Sequence, residues 1–113
     1  MRKRPIELGQ AEAALLFAAL GDETRLSLLQ RLSEAGPASI SVLAGNFRIS
    51  RQAVTKHLQF LAAAALIDGK RTGREHVWTL NARRLTEAQR CLETISRDWD
   101  DALGRLKAHL EES

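Results

Sequence analysis

The sequence predicts a mainly α-helical domain that carries one small β-hairpin. Apolar residues recur with helical spacing over most of the chain, and only seven glycines and two prolines interrupt it. A single stretch, near residue 70, alternates apolar and polar residues around a basic turn. Since 113 residues is the length of one modest domain, we expect residues 1–113 to form a single unit.

Composition argues against several classes of protein. The chain has no run of about 18 apolar residues, so we expect no membrane helix. The N-terminal MRKRPIELG has basic residues but no apolar run behind them, so we expect no signal peptide. Cys91 is the only cysteine, which excludes an internal disulfide and fits a reducing compartment. These features predict a cytoplasmic protein.

Charge is distributed unevenly along the chain. Residues 48–76 contain six basic and two acidic side chains, a net charge of +4, whereas residues 85–113 carry a net charge of −3. A basic middle beside an acidic tail indicates that a polyanion contacts the middle segment. The alternative is an ordinary solvated charged surface.

The first two helices are predicted from composition and caps. QAEAALLFAAL, at 10–20, is rich in good helix formers, and Gly21 ends it. Asp22 is the expected N-cap of a second helix, DETRLSLLQRLSEAG, which stops at Gly36-Pro37. The apolar face of this helix holds Leu28, Leu29 and Leu32, with Leu26 near its edge.

Two further helices follow a short break. SISVLAGNF predicts a short helix that begins near Ser39 or Ser41, with Val42, Leu43 and Phe47 as its apolar residues. Ser50 is the expected N-cap of the next helix, at 51–64. Its buried stripe comprises Val54, Leu58 and Leu61, and the residues off that stripe are Arg51, Gln52, Thr55, Lys56 and Gln59.

A short helix, a turn and a helix with an exposed polar face match a helix-turn-helix, whose second helix enters the DNA major groove. Arginine suits guanine and glutamine suits adenine in such a groove. We expect Arg51, Gln52 and Thr55 to contact bases, and Lys56 and Arg48 to contact the backbone. The alternative is two helices that simply meet at a tight turn. The predicted DNA contacts in this region are Arg48, Ser50, Arg51, Gln52, Thr55 and Lys56.

The segment LIDGKRTGREHVWTL, at 66–80, predicts a β-hairpin with a charged tip. A hairpin directly after a recognition helix is a wing, so the predicted fold is a winged helix-turn-helix. Lys70, Arg71 and Arg74 are expected to contact phosphates or an adjacent minor groove. The alternative is a capping hairpin whose charges only maintain solubility.

The last segment predicts a dimerisation helix at 82–110. Leucine or tryptophan recurs every seven residues, and Ala88, Ile95 and Ala102 follow three positions later, as in a coiled coil. A second copy would cover this stripe; packing on the chain's own first helix is the alternative, and both can hold. The predicted interface residues are Leu85, Leu92, Ile95, Trp99, Leu103, Leu106 and Leu110.

Three stretches together resemble the ArsR family of winged-helix repressors, closest to its metal-independent members. They are GDETRLSLLQRL, SVLAGNFRISRQAVTKHLQFLAAAALI and GKRTGREHVWTLN, and the likeness spans roughly residues 10 to 110. The resemblance implies a homodimer that binds double-stranded DNA at a partly palindromic operator and blocks transcription. It also implies release by a small effector, which is unidentified here.

Metal-sensing relatives often carry paired cysteines in the first helix of the helix-turn-helix, where this chain has Ser39 and Ser41. Serine is a poor ligand for the soft ions of such sites. Others use Asp and His pairs on the last helix, which Asp98, Asp100, His109 and Glu112 resemble, although the spacing and the second residue differ. We therefore predict no metal and no cofactor, with a metal-responsive repressor as an alternative.

Other reactive side chains have ordinary explanations. Cys91 is either a small apolar filler or a redox-sensitive thiol. His57 is expected to pack or to bond to the backbone, His76 to contact phosphate or solvent, and Arg25 to hold a phosphate or a carboxylate. The sequence has no P-loop, no HExxH and no nucleophile-base pattern, so we expect no enzyme. A basic module that binds an acidic protein remains the other alternative.

Overall fold

The computed structural model describes residues 9–112, which form five helices and three strands. The expectation about a signal peptide lies almost entirely outside these residues. None of the described helices combines the length and apolar character needed to cross a membrane. In chain order the elements are α1 (Gln10–Leu20), α2 (Glu23–Ala35), β1 (Ala38–Ser39), α3 (Ile40–Gly45), α4 (Arg51–Ala63), β2 (Ile67–Thr72), β3 (Glu75–Leu80) and α5 (Ala82–Glu112).

Side-chain caps fix the starts of three helices, as the sequence predicts. The Asp22 carboxylate accepts a hydrogen bond from the backbone N–H of Arg25 at 3.0 Å, and α2 begins one residue after Asp22. Ser39 and Ser50 cap α3 and α4 in the same way, at 3.3 and 3.1 Å. Each cap satisfies an amide that has no partner within its helix. Ser39 is thus the correct one of the two predicted starts of α3.

The three strands form one antiparallel sheet in the order β1-β3-β2. The predicted hairpin is confirmed as β2 and β3, whose ladder pairs Ile67 with Leu80 at the base and Thr72 with Glu75 at the tip. Strand β1 was not predicted, because two residues are too short to show an alternating pattern. It adds Ala38 opposite Trp78 and so ties the start of α3 to the hairpin.

One hydrophobic core connects the first four helices to the base of the hairpin. The predicted stripe of α4 is confirmed, since Val54, Leu58 and Leu61 are all 0% exposed. Burial of each leucine side chain contributes roughly 1.5–3 kcal/mol. In α3 only Leu43 is buried, whereas Val42 is 49% exposed. The largest fully buried side chains among residues 9–112 are Leu16, Leu28, Leu43, Val54, Leu58, Leu61, Leu66 and Ile67.

Helix α4 ends one residue before the predicted limit in a Schellman motif. The backbone N–H of Leu66 donates to the carbonyl of Leu61 at 3.0 Å, and that of Ala65 donates to Ala62 at 2.9 Å. This motif requires a left-handed residue, and Ala65 has φ 61°. An alanine pays roughly 1–2 kcal/mol for that conformation, which glycine adopts freely.

Helix α5 packs on the core only near its start. Ala88 is buried and Leu85 packs against the core, but the later apolar residues are exposed. With 31 residues the helix is about 46 Å long, and the molecule measures 67 Å along its longest axis. Most of α5 therefore extends away from the core.

Candidate nucleic-acid interface

Five side chains of α4 form its polar face, which lines a shallow open concavity of about 550 Å³. The apolar stripe on the other side of the helix anchors α4 to the core, so its backbone is rigidly supported behind this face. Four of the five side chains are predicted DNA contacts, while the sequence only placed Gln59 off the buried stripe. The polar face consists of Arg51, Gln52, Thr55, Lys56 and Gln59.

Two hydroxyl groups in this region are already used inside the protein. The Ser50 oxygen accepts the capping bond from Ala53, so its clearest role is to start α4. Thr55 donates its hydroxyl hydrogen to the carbonyl of Arg51 at 2.9 Å. Thr55 therefore offers its methyl group and an acceptor oxygen to a ligand, and no free O–H donor. Arg48 is exposed in the turn just before Ser50.

Arg25 holds α4 against the end of α1. Its Nε donates to the carbonyl of Ala19 at 2.8 Å and its Nη2 donates to Ala18 at 3.1 Å. The guanidinium carbon also lies 4.1 Å from the ring centroid of Phe60, a cation–π contact. Arg25 thus caps a helix end and stacks on an aromatic ring, and its two predicted partners, a phosphate and a carboxylate, stay predictions.

His57 faces the N-cap of α2 from the middle of α4. Its Nδ1 lies 3.7 Å from the Asp22 Oδ2 and the residue is half-buried. Of the two expectations for His57, residues 9–112 therefore show packing and no hydrogen bond to the backbone. The hydrogen bond from the Arg25 backbone, with smaller contributions from the charges of Arg25 and His57, holds the pKa of Asp22 below its usual 3.8. This contact links α4 to α2 inside the protein.

The wing, formed by β2 and β3, presents its cations on different sides. Successive residues of a strand point to opposite faces, so Lys70 and Arg71 lie on opposite faces of the hairpin. Arg74 follows Gly73, which has φ 64°, in the turn between the strands. These three predicted contacts can therefore meet a groove from both sides of the wing and from its tip.

Aromatic stacking stiffens one face of the wing. The rings of His76 and Trp78 stack with centroids 4.5 Å apart and an interplanar angle of 14°. Gly69 lies opposite Trp78, and a Cβ there would come within 2.7 Å of the indole and also strike the His76 ring. His76 thus stacks on Trp78 and is still exposed, as its predicted contact with solvent or phosphate requires.

Hydrogen bonds join the end of α4 to the beginning of α5. Arg84 Nε donates to the carbonyl of Ala64 at 2.9 Å, and the Asn81 amide donates to Ala65 at 2.9 Å. Arg84 also pairs with Glu87 at 3.1 Å and Glu12 at 3.5 Å. Sequence patterns did not predict this junction. Its one signal is that two arginines in the first turn of a helix oppose the helix dipole.

The apolar stripe of α5 is exposed in the protomer. Leu85 is the exception among the predicted interface residues, because it packs against the protomer's own core. The other six side chains are between 43% and 64% exposed: Leu92, Ile95, Trp99, Leu103, Leu106 and Leu110. An exposed apolar stripe of this length is typical of a surface that packs against another segment or another molecule.

The two ends of the predicted ligand set on α5 lie far apart within one chain. Asp98 and His109 lie eleven positions apart on the same helix, which separates their backbones by roughly 16 Å. Across residues 9–112, no three His, Cys, Asp or Glu side chains come together as a metal site would require. Cys91 is a half-buried free thiol.

A short helix, a supported second helix with a polar face, and a stiff basic hairpin define a winged helix-turn-helix. Residues 20–70 match a family model described as a helix-turn-helix domain. The homodimeric winged helix-turn-helix DNA-binding domain Mb0332 of Mycobacterium bovis superposes with a TM-score of 0.61 over 82% of each chain. At 19% identity that likeness shows the fold.

Closer relatives show the family. The HTH-type transcriptional regulator Rv2034 of Mycobacterium tuberculosis is 34% identical over 87 residues, which are 77% of this chain and 78% of that protein. An ArsR-like transcriptional regulator from Rhodococcus sp. RHA1 is 41% identical, with a TM-score of 0.76 over 86% of this chain and 91% of that one. The chain belongs to the ArsR family of winged helix-turn-helix, DNA-binding transcriptional regulators.

Proposed function

We propose that the protein is a homodimeric repressor that binds a partly palindromic operator. The polar face of α4 carries this proposal, because it combines an exposed arginine, lysine and two glutamines on a helix whose opposite side is buried. In the proposed complex α4 lies in the major groove, and the wing lies along the adjacent backbone or minor groove.

The chemistry of each side chain suggests its role. Arg51 and Gln52 sit in the first turn of α4, where a recognition helix meets base edges, and they suit guanine and adenine. Lys56 and Arg48 carry exposed charges on either side of that turn and suit phosphates. The cations of the wing also suit phosphates, and this attraction does not depend on the base sequence. They are Lys70, Arg71 and Arg74.

Two exposed apolar surfaces support a dimer through the terminal helices. The stripe of α5 is one of them, and the outer face of α1 is the other. Helix α1 is apolar nearly all round, yet Leu15 is 41% exposed and Ala11, Ala14 and Ala18 are exposed beside it. A helix that is apolar on all sides is normally buried on all sides. A second copy would bury both surfaces, and two-fold symmetry would set the two α4 helices about 34 Å apart.

The remaining parts of the proposal follow from the family and the composition. A dimer on an operator blocks transcription, and an unidentified small-molecule inducer releases it. The protein acts in the cytoplasm, and it has no catalytic role. No metal is part of the proposed mechanism. The alternative is a metal-responsive repressor, in which a metal on the α5 carboxylates and His109 bridges the two subunits. Selection of DNA in the presence of zinc tests this alternative.

The test is in vitro selection of random duplex DNA by the purified, reduced, metal-free protein, repeated with zinc added. Enrichment of a palindrome with half-sites about one helical turn apart is the expected result. The affinity for the selected site should fall linearly with salt on logarithmic axes and exceed that for random DNA by at least about a thousandfold. Failure to enrich any sequence in either condition would overturn the repressor proposal and favour a protein-binding module.

Two variants separate base contacts from backbone contacts. Arg51→Ala should cost about 1–3 kcal/mol on the selected site and relax the preference at one base pair of each half-site. Lys56→Ala should weaken binding to all sequences alike and reduce the salt slope by about one. Uniform weakening by Arg51→Ala would remove its base-contacting role.

A further inference from the structure

We propose that Gln59 is a further specificity-determining residue, one that contacts an adenine roughly two to three base pairs from the one contacted by Gln52. This inference rests on the proposed function, since it assumes that α4 lies in the major groove. It concerns a residue that the sequence pattern alone left without a role.

Around the axis of α4, Gln59 lies within the polar face. At about 100° per residue, Gln59 lies only about 20° from Gln52 and about 40° from Thr55 around the axis of α4. It is therefore near the centre of the polar face, and it lines the same concavity as the other four side chains. The buried leucines and valine of the stripe are all about 100° or more away.

The position of Gln59 along the helix also supports the inference. Seven residues separate it from Gln52, a rise of about 10.5 Å. Successive base pairs lie about 3.4 Å apart along the duplex axis and somewhat farther apart along the groove, so this rise corresponds to roughly two to three base-pair steps. Gln59 therefore faces a different base pair from Gln52 and would add new sequence information.

The available hydrogen bonds support it as well. Within residues 9–112 the Gln59 side chain takes part in no hydrogen bond, and it is exposed. Thr55 lies between the two glutamines, and its hydroxyl already donates its hydrogen to the carbonyl of Arg51. Among the side chains of the polar face beyond Gln52, only the amide of Gln59 can both donate and accept a hydrogen bond. Adenine requires both, because its N7 accepts a hydrogen bond and its N6 amino group donates one.

The experiment repeats the selection with Gln59→Ala and Gln59→Glu and measures affinities on single-base variants of the wild-type site. Gln59→Ala should lose the adenine preference at one base pair per half-site, weaken binding roughly tenfold and leave the salt slope unchanged. Gln59→Glu should move the preference at that same base pair towards cytosine, because a carboxylate accepts from the cytosine amino group. Gln52→Ala should affect a base pair roughly two to three steps away.

Gln30→Ala is the matched control, since Gln30 is an exposed glutamine on α2 and lies off the polar face. It should leave the selected motif and the affinity unchanged. An unchanged motif with Gln59→Ala and Gln59→Glu would overturn the inference and leave the proposed function standing. Equal weakening on all sequences with a flatter salt dependence would also overturn it, because it would indicate a backbone contact. A wild-type protein that selects nothing would instead overturn the proposed function itself.

Discussion

Helices α4 and α5 both carry apolar residues at helical spacing, yet the protomer buries one stripe and exposes the other. The stripe of α4 is completely buried, because α1, α2, α3 and the hairpin surround it. Helix α5 meets α1 near its start and then leaves the core, so within the described residues 9–112 most of its stripe stays exposed. An apolar pattern therefore predicts that a surface will be covered, whereas the elements nearby decide whether the cover comes from the same chain.

The largest effect should come from a cavity under α4. Leu58→Ala removes a fully buried side chain and should lower the free energy of unfolding by about 3 kcal/mol. Urea denaturation followed by circular dichroism would measure this change. The loss should be the same in dilute and concentrated protein, because the cavity lies within one chain. A loss that disappeared at high concentration would show that association, and not the core, supports α4.

A matched truncation on α5 should have a smaller effect of a different kind. Leu106→Ala should cost about 1–2 kcal/mol per protomer, and only through association, since Leu106 is 53% exposed in the protomer. Sedimentation would show a weaker dimer with an unchanged protomer fold. Trp99 gives an optical readout, because it is 64% exposed and should shift to shorter emission wavelength on dimerisation, whereas Trp78 is already buried. Unfolding of the dilute variant as severe as that of Leu58→Ala would contradict the distinction between the two helices.

The smallest effect should be a gain at the end of α4. Ala65→Gly relieves the left-handed alanine of the Schellman motif but adds flexibility to the unfolded chain, for a net stabilisation of about 0.5–1 kcal/mol. Thermal unfolding would detect it as a small rise in Tm. Ala63→Gly, at the last residue of α4, is the control, and it should be destabilising by up to about 1 kcal/mol. A loss of stability in Ala65→Gly would mean that the strain at this position is not relieved by glycine.

Sequence patterns predicted most of the fold because they express local physics. Caps at Asp22 and Ser50, the stripe of α4 and the alternation of the hairpin each depend on a few neighbouring residues. The polar face of α4 was predicted for the same reason, since it is what remains after the stripe is assigned. The positions of Arg25 and Arg84 could not be predicted, because both side chains bind backbone carbonyls of other elements. Every residue has a backbone carbonyl, so the sequence does not indicate which carbonyl a side chain will bind. Such partners are known only from the folded structure.

The uncovered stripe of α5 has a consequence for how such a regulator would respond to its own abundance. If the operator takes only dimers, the concentration of the binding species rises with the square of the chain concentration while most chains are single. Doubling synthesis would then raise the dimer about fourfold, and dilution at cell division would lower it just as steeply. The length of apolar surface on one helix would in this way help to set the chain concentration at which the operator becomes occupied.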